Sequence, residues 1–451
     1  MRELILPIKS WKNSLTYVMS KIYELIKKEE KRQAETLMMI PSENYASKAV
    51  RAAVGSVLMN KYSEGYPFKR YYQGNKVADE VEVLTEELAK KLFGVPFVNV
   101  QPYSGSPANA AILFALVDPG SKIMGLKLSS GGHLTHGHPD ITFSGRFYKS
   151  VQFGTKDDGI IDYDDVARLA KKEKPKLMII GTTAYPRVFQ WARLREIADS
   201  VNAWFVADVS HVAGMILAGS YTSPVPFADI VMTTTHKTLR GPRGAMIMVT
   251  KNGIKKDPEV ASKIDRAVFP GLQGGPHDNT TAGIAQALIE ASTFEFKRYG
   301  KQIVTNAKVL AEELKKGGLT LVTGGTECHL LVIDLRPVEL SGNVVAEALE
   351  ASGIVVNRNS VPNDSMPPFY PSGIRLGTPG ITTRGMKENE VKQIAGWILS
   401  VIDHVKNEKL PEEKEKRVEF IKSFRRKIAK DKFLVGIASE VRALCKKFPT
   451  P

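Results

Sequence analysis

Residues 228–244 read ADIVMTTTHKTLRGPRG, and their order decides what fold the chain can have. The first eight are apolar and β-branched, the composition of a strand buried in a sheet. A histidine and a lysine follow at once, and then glycine, proline and arginine, which punctuate structure and end the strand. Lys237 is therefore expected at or just past a strand end, where open α/β sheets keep their ligand crevices. Position alone does not mark it as reactive, because lysine and arginine together number 63. The surrounding segments have to decide.

Working outward, strands and helices alternate. KIMGL (122–126), KLMIIG (176–181) and WFVADVSH (204–211) read as strands, and FVNVQPYSGS (97–106) as a strand and turn. PANAAILFALV (107–117) and ARLREIADSVN (192–202) read as helices, as does the segment ending at Gly94. That alternation predicts a large, mostly parallel sheet with helices on both faces. Upstream, Val18, Ile22 and Leu25 fall at helical spacing, so an amphipathic helix is expected over about residues 17–37. NKYSEGYPFKRYYQG (60–74) has no period and reads as an ordered loop with a function. Downstream, HLLVIDLR, VVAEALEASG, IVVNRNS and IRLGTPG suggest a smaller α+β unit. The expected division is a helical arm over 1–60, a large domain over 61–290 and a C-terminal domain over 291–451.

Composition narrows the class. At 451 residues, 43% hydrophobic and 25% charged, the chain is an ordinary globular protein long enough for two domains. Its two cysteines, Cys328 and Cys445, form neither a disulfide framework nor a metal-ligand spacing, which suits a reducing compartment. The N-terminus lacks a signal-peptide core and carries Glu3, Glu24, Glu29 and Glu30, and no stretch approaches a membrane span. The expectation is a cytoplasmic protein. The net charge of +15 lies largely in mixed-sign helical runs without a zinc-finger or RNP-type motif, so no nucleic-acid partner is expected.

Four signals carry chemistry. Asp208 and His211 close an apolar strand, where a carboxylate is costly unless a cation or donor faces it. In pyridoxal-phosphate enzymes a carboxylate pairs with the pyridinium nitrogen while a lysine binds the cofactor. Ser104, Gly105 and Ser106 lead directly into a helix, whose free N–H groups suit a phosphate. Arg375 lies in a short apolar strand, and a buried guanidinium wants a carboxylate or phosphate partner. The fourth, GGHLTHGHPD, offers His133, His136, His138 and Asp140 to a metal, but consecutive loop histidines need a further ligand and an outer shell. An imidazole over an aromatic cofactor explains His133 equally well, and no metal is expected.

NKYSEGYP, KRYY, QPYSGSPAN, GGHLTHG, DVSHVAG, TTTHKTLRGPRG, FPGLQGGP, NSVPND and SGIRLGTP together resemble serine hydroxymethyltransferase, in that family's order, over residues 42–380. The resemblance implies the aspartate-aminotransferase-like fold type I of pyridoxal 5′-phosphate enzymes, acting as a homodimer or a pair of dimers. It implies Lys237 as the lysine that holds the cofactor covalently, with Thr234 and His236 beside it. Asp208 would face the pyridinium, His133 stack on the ring, and Thr183 and His211 contact its O3′ side. Ser104, Gly105 and Ser106 would hold the phosphate, with Tyr62, Gly274 and Gly275 reaching it from a neighbouring subunit. Arg375 and Ser42 would take the substrate carboxylate near Tyr72, and Glu64 would serve as acid/base at the hydroxymethyl group. Leu128, Gly132, Leu134, Asn359 and the segment Pro367 to Phe369 would line the site of tetrahydrofolate or a related pterin.

The implied reaction is the exchange of a one-carbon unit between L-serine and tetrahydrofolate. Two alternatives stay open on sequence: a folate-independent aldolase for β-hydroxy amino acids, and a metal hydrolase built on HLTHGH. The chain departs from the family pattern in the methionines and proline of TLMMIPSEN, at Gln73 and Thr183, and in Pro186 and Arg187 of a variable loop. None of these removes a catalytic group.

Overall fold

The computed structural model describes residues 8–451, with side chains from residue 20 onward. Seven strands build the large sheet: β1 (Phe97–Asn99), β2 (Lys122–Leu126), β3 (Lys149–Phe153), β4 (Leu177–Gly181), β5 (Trp204–Asp208), β6 (Ile230–Thr234) and β7 (Ala245–Val249). Their order across the sheet is β1-β7-β6-β5-β4-β2-β3. The five strands from β6 to β3 run parallel, while β7 is antiparallel to both β6 and β1. Every residue of β4, β6 and β7 is buried. This is why they read as unbroken apolar runs: both faces are covered, so no alternation survives. Strands β3 and β7 were not anticipated, and the 60–74 loop contains a short antiparallel hairpin, Gly65–Tyr66 with Lys69–Arg70.

The second sheet has four antiparallel strands, β8 (Thr320–Leu321), β9 (Leu330–Asp334), β10 (Asn357–Asn359) and β11 (Gly373–Gly377), in the order β8-β9-β11-β10. IVVNRNS, read as one strand, is split between two sheets. Its Ile354–Val355 half pairs in parallel with Leu37–Met38 from the N-terminal arm, and only Asn357–Asn359 joins β11. The arm is thereby tied to the second sheet.

Helix α1 (Ile8–Glu35) is present where an amphipathic helix was expected. Val18 lies outside the residues whose side chains are described, and Ile22 and Leu25 are exposed, so this chain does not cover that apolar face. The C-terminal end of α1 is held by one buried side chain. The Arg384 guanidinium donates to the carbonyls of Gln33, Ala34 and Thr36, and also to those of Cys445 and Phe448. A cation thus satisfies carbonyls at two helix ends that would otherwise lack partners. Both cysteines are buried and free. Among the described residues, no helix is long and apolar enough to cross a membrane.

Candidate active site

Four parallel strands deliver the site from their C-terminal ends. β2 ends at Leu126 and leads to Leu128, His133 and Leu134; β4 leads to Thr182 and Thr183; β5 ends on Asp208, before Ser210 and His211; β6 ends on Thr234, before His236 and Lys237. All of them line one cavity of about 480 Å³, joined by Ser104, Gly105 and Ser106 at the start of α2 (Gly105–Leu116). Ser42, Asn359 and Arg375 close it from the arm and the second sheet. The crevice at the carboxyl edge of an α/β sheet is the expected place for a ligand.

Lys237 is buried, and burial, offset in part by Asp208 and reinforced by Arg375 and Arg243, brings its ammonium down to about 8. Asn44 fixes the backbone beneath it, donating to the Lys237 carbonyl at 3.0 Å. Burial would raise the carboxyl of Asp208. The hydrogen bond from His136, with the nearby Lys237, overcomes this and holds it well below the usual carboxylate range. The partners of Asp208 are His136 Nε2 at 2.9 Å, Asn109 Nδ2 at 3.1 Å, and the Ser210 N–H at 3.0 Å and hydroxyl at 2.5 Å. A carboxylate only accepts, so His136 must donate from Nε2. Gly181 makes room for this layer: a Cβ there would meet Asp208 O at 2.4 Å and His136 Cε1 at 3.0 Å.

The three loop histidines diverge. His133 Nδ1 lies 2.7 Å from the Thr135 hydroxyl, His136 turns to Asp208, and His138 Nδ1 lies 2.7 Å from the Pro139 carbonyl. Among the described residues, no group of three or more His, Cys, Asp or Glu side chains is placed to hold a metal ion. Burial and the neighbouring His136 bring His133 down to about 4, so its ring is neutral at physiological pH.

Arg375 is 8% exposed. Its Nε donates to Asn357 Oδ1 at 3.0 Å and a terminal nitrogen donates to the Thr183 carbonyl. It has no carboxylate partner among the described residues, and burial lowers it to about 10. A buried guanidinium without a counter-ion, facing a cavity, is arranged for an anionic ligand.

Other expected residues fall elsewhere. Gly132 does not line the cavity; its carbonyl accepts from the Thr183 hydroxyl at 2.9 Å. Pro367 and Phe369 are exposed, with Arg358 over the Phe369 ring. Tyr62, Glu64, Tyr72, Gly274 and Gly275 form a separate cluster. The Tyr62 hydroxyl donates to Glu64 at 3.3 Å, the Tyr62 and Tyr72 rings meet edge to face at 5.2 Å, and the Tyr62 ring lies against Gly275. None of these five lines the cavity around Lys237. The structure also adds residues the sequence reading passed over: Asn109, Ser210, Arg243 and Asn357. Asn109 was findable, four residues after Gly105 on the same helix and hence on one face.

The cavity fits pyridoxal 5′-phosphate. Ser104 is the N-cap of α2, but its side chain makes no capping bond, leaving the hydroxyl for a ligand beside the helix N–H groups. The Thr234 hydroxyl and His236 Nδ1 are buried without partners. Gly105 sits so close to β6 that a Cβ would meet Thr234 Cγ2 at 2.7 Å. A lysine amine, an ionised aspartate, a neutral imidazole and an anion cradle in one crevice define the class: a pyridoxal-phosphate enzyme of fold type I.

Comparison with known proteins narrows that class. Residues 15–398 match the family model described as serine hydroxymethyltransferase. The chain is 51% identical to the serine hydroxymethyltransferase of Acidothermus cellulolyticus over 439 residues, covering 97% of each chain. It is 49% identical to that of Sorangium cellulosum, over 97% of this chain and 96% of the relative. With that of Desulfotalea psychrophila it shares 48% identity over 430 residues, 95% of this chain and 94% of the relative. The chain belongs to the serine hydroxymethyltransferase family. This is a family of transferases that interconvert serine and glycine with pyridoxal 5′-phosphate and tetrahydrofolate.

Proposed function

We propose that this chain transfers the hydroxymethyl carbon of L-serine to tetrahydrofolate, giving glycine and 5,10-methylenetetrahydrofolate, and runs the reverse reaction. The observation that carries this is the unpaired Arg375 guanidinium, which shares one cavity with Lys237 and Asp208. A guanidinium takes a carboxylate through two parallel hydrogen bonds, so the amino acid is fixed by its carboxylate with Ser42 alongside. When bound, pyridoxal 5′-phosphate supplies the electron sink that stabilises charge at the amino-acid Cα.

The remaining work belongs to the chain. Lys237, brought down to about 8, offers a larger neutral fraction near neutral pH than an ordinary lysine. Asp208 keeps its negative charge for a pyridinium, and His133 lays a neutral ring in the cavity. Thr183 and His211 stand at the O3′ side, with Thr234 and His236 beside Lys237. Ser104, Gly105 and Ser106 hold the phosphate. Glu64 moves the proton at the β-hydroxyl, near Tyr72. Leu128, Leu134 and Asn359, with Gly132, Pro367 and Phe369, receive the folate.

Because Tyr62, Glu64, Tyr72, Gly274 and Gly275 do not line the cavity around Lys237, a second copy is proposed to bring them to it. Exposed apolar side chains around that cluster, among them Val57, Met59, Phe68 and Tyr71, support a homodimer. The proposed protein is a cytoplasmic dimer, or a pair of dimers, with the arm over 1–60, a cofactor domain over 61–290 and a smaller domain over 291–451.

The test is the fate of serine labelled with 13C at Cβ. Cofactor-loaded protein is expected to give glycine, and label on folate, only when tetrahydrofolate is present. Release of the labelled carbon as free aldehyde at the same rate without folate would establish the aldolase instead.

A further inference from the structure

His329 was not singled out by its sequence, yet its ring is fully buried against a cavity residue. It precedes β9 in the second sheet, while His211 follows β5 in the first. His211 Nδ1 and His329 Nε2 are 3.1 Å apart, and the ring centroids are 5.3 Å apart with a 35° tilt. The His329 carbonyl accepts from the Thr378 N–H at 3.0 Å, which fixes the backbone that presents the ring. The pair is therefore a direct side-chain bridge between the two sheets, ending at the cavity. His211 lines that cavity, and its Nε2 makes no hydrogen bond to another described residue.

Two imidazoles joined nitrogen to nitrogen need a single proton between them. Neither ring takes a second one. Burial, then Lys237 and His329, keep His211 well below its ordinary value, and burial with Arg375 and Lys237 brings His329 to about 3. Two neutral arrangements remain. If His211 donated from Nδ1, the proton of His329 would sit on its own Nδ1, which is buried and has no partner. A stranded N–H is among the rarest and costliest defects in a protein interior. If His329 donates from Nε2, its Nδ1 carries only a lone pair, and the proton of His211 moves to Nε2. That places a donor, rather than a lone pair, beside Arg375 and Lys237, the arrangement an anionic ligand oxygen requires.

We propose that His329 is a positioning residue that holds His211 in the tautomer protonated at Nε2, so that His211 faces the cavity as a hydrogen-bond donor. The tautomer follows from the protein alone; its consequence for turnover rests on the serine–glycine reading. His329 touches neither cofactor nor substrate in this proposal and acts through His211.

Long-range 1H–15N spectra of the cofactor-free protein labelled at its eight histidines test it, with the His211 signals assigned by their loss in His211→Gln. His211 is expected to show a protonated Nε2 and a bare Nδ1. His329→Leu should release that preference, and His329→Gln, whose amide can still donate, should keep it. In steady-state assays His329→Leu is expected to lose about 10- to 100-fold in kcat/KM, the loss typical of an outer partner that orients a working group. His329→Gln should recover most of it. A wild-type His211 protonated at Nδ1 would overturn the proposal whatever the activity. So would an unchanged tautomer in a folded His329→Leu variant, as judged by its thermal melt. A wild-type enzyme that fails to turn over serine would count against the serine–glycine reading and leave the spectra to decide the tautomer.

Discussion

The chemistry of the site rests on three charges whose ordinary balance burial has disturbed. Lys237 is brought to about 8, Arg375 to about 10, and Asp208 is held ionised by donors despite being buried. The lowered values of Lys237 and Arg375 reflect burial that an anionic ligand beside them would offset. Arg375→Ala should therefore weaken serine binding by roughly 2–5 kcal/mol, the cost of truncating one member of a buried charge pair, with little change in cofactor affinity. Arg375→Lys should recover only part of this, because an ammonium lacks the planar fork. Titrations with serine and with pyridoxal 5′-phosphate separate the two effects; unchanged serine affinity would reduce Arg375 to a brace for Asn357 and Thr183. Lys237, Asp208 and Arg375 were legible because each interrupts or ends an apolar run, where an ionised group demands a reason. His136 stood out only as a metal candidate, and although Asn109 lies at helical spacing from Gly105 and Ser210 two residues after Asp208, the meeting of all three on the Asp208 carboxylate is visible only in the fold.

At the scale of elements, α2 depends on a close approach. Its first residue, Gly105, lies against β6 so tightly that a Cβ would come within 2.7 Å of Thr234 Cγ2. Thr234 is β-branched and buried, so it has little freedom to turn away. Gly105→Ala is expected to push the helix start off the strand end, at a stability cost of roughly 1–3 kcal/mol for overpacking. Cofactor affinity should fall with it if, as proposed, the N–H groups at the start of α2 hold the phosphate. A thermal melt and a cofactor titration measure the two; an unchanged affinity would remove α2 from the phosphate site. Strands β2, β4, β5 and β6 could be read from their uninterrupted apolar runs. AMIMV of β7 is just as apolar but directly follows the glycine-rich turn that drew attention to Lys237. The split of IVVNRNS was invisible because its first half pairs with Leu37–Met38, more than three hundred residues away.

At the scale of the molecule, most of the expected residues fall into two groups, one around Lys237 and one around Glu64, with Gly132, Pro367 and Phe369 in neither. A two-fold dimer reconciles them if each subunit lends its Glu64 cluster to the other's cavity. Lys237→Ala and Glu64→Gln variants, unfolded and refolded together, then form mixed dimers with one doubly defective site and one intact site. Activity should approach about a quarter of wild type in a random mixture, by the symmetry of a two-fold dimer. No recovery, with mixed dimers confirmed by mass, would mean that each chain builds its site alone. Sequence motifs foresaw both groups, but their separation within one chain is visible only in three dimensions.

The central claim is that Lys237 is the cofactor lysine and that its burial makes it reactive near neutral pH. Cofactor-free protein is mixed briefly with pyridoxal 5′-phosphate across a pH series, reduced with borohydride, digested and mapped by mass spectrometry. A folded-state value lowered from 10.5 to about 8 means the neutral amine fraction rises with pH through about 8. The pyridoxyl label should therefore lie on Lys237, with an initial attachment rate rising to a plateau around a midpoint near pH 8. A label on another lysine, or attachment to Lys237 that rises only near the ordinary lysine value of about 10.4, would contradict it.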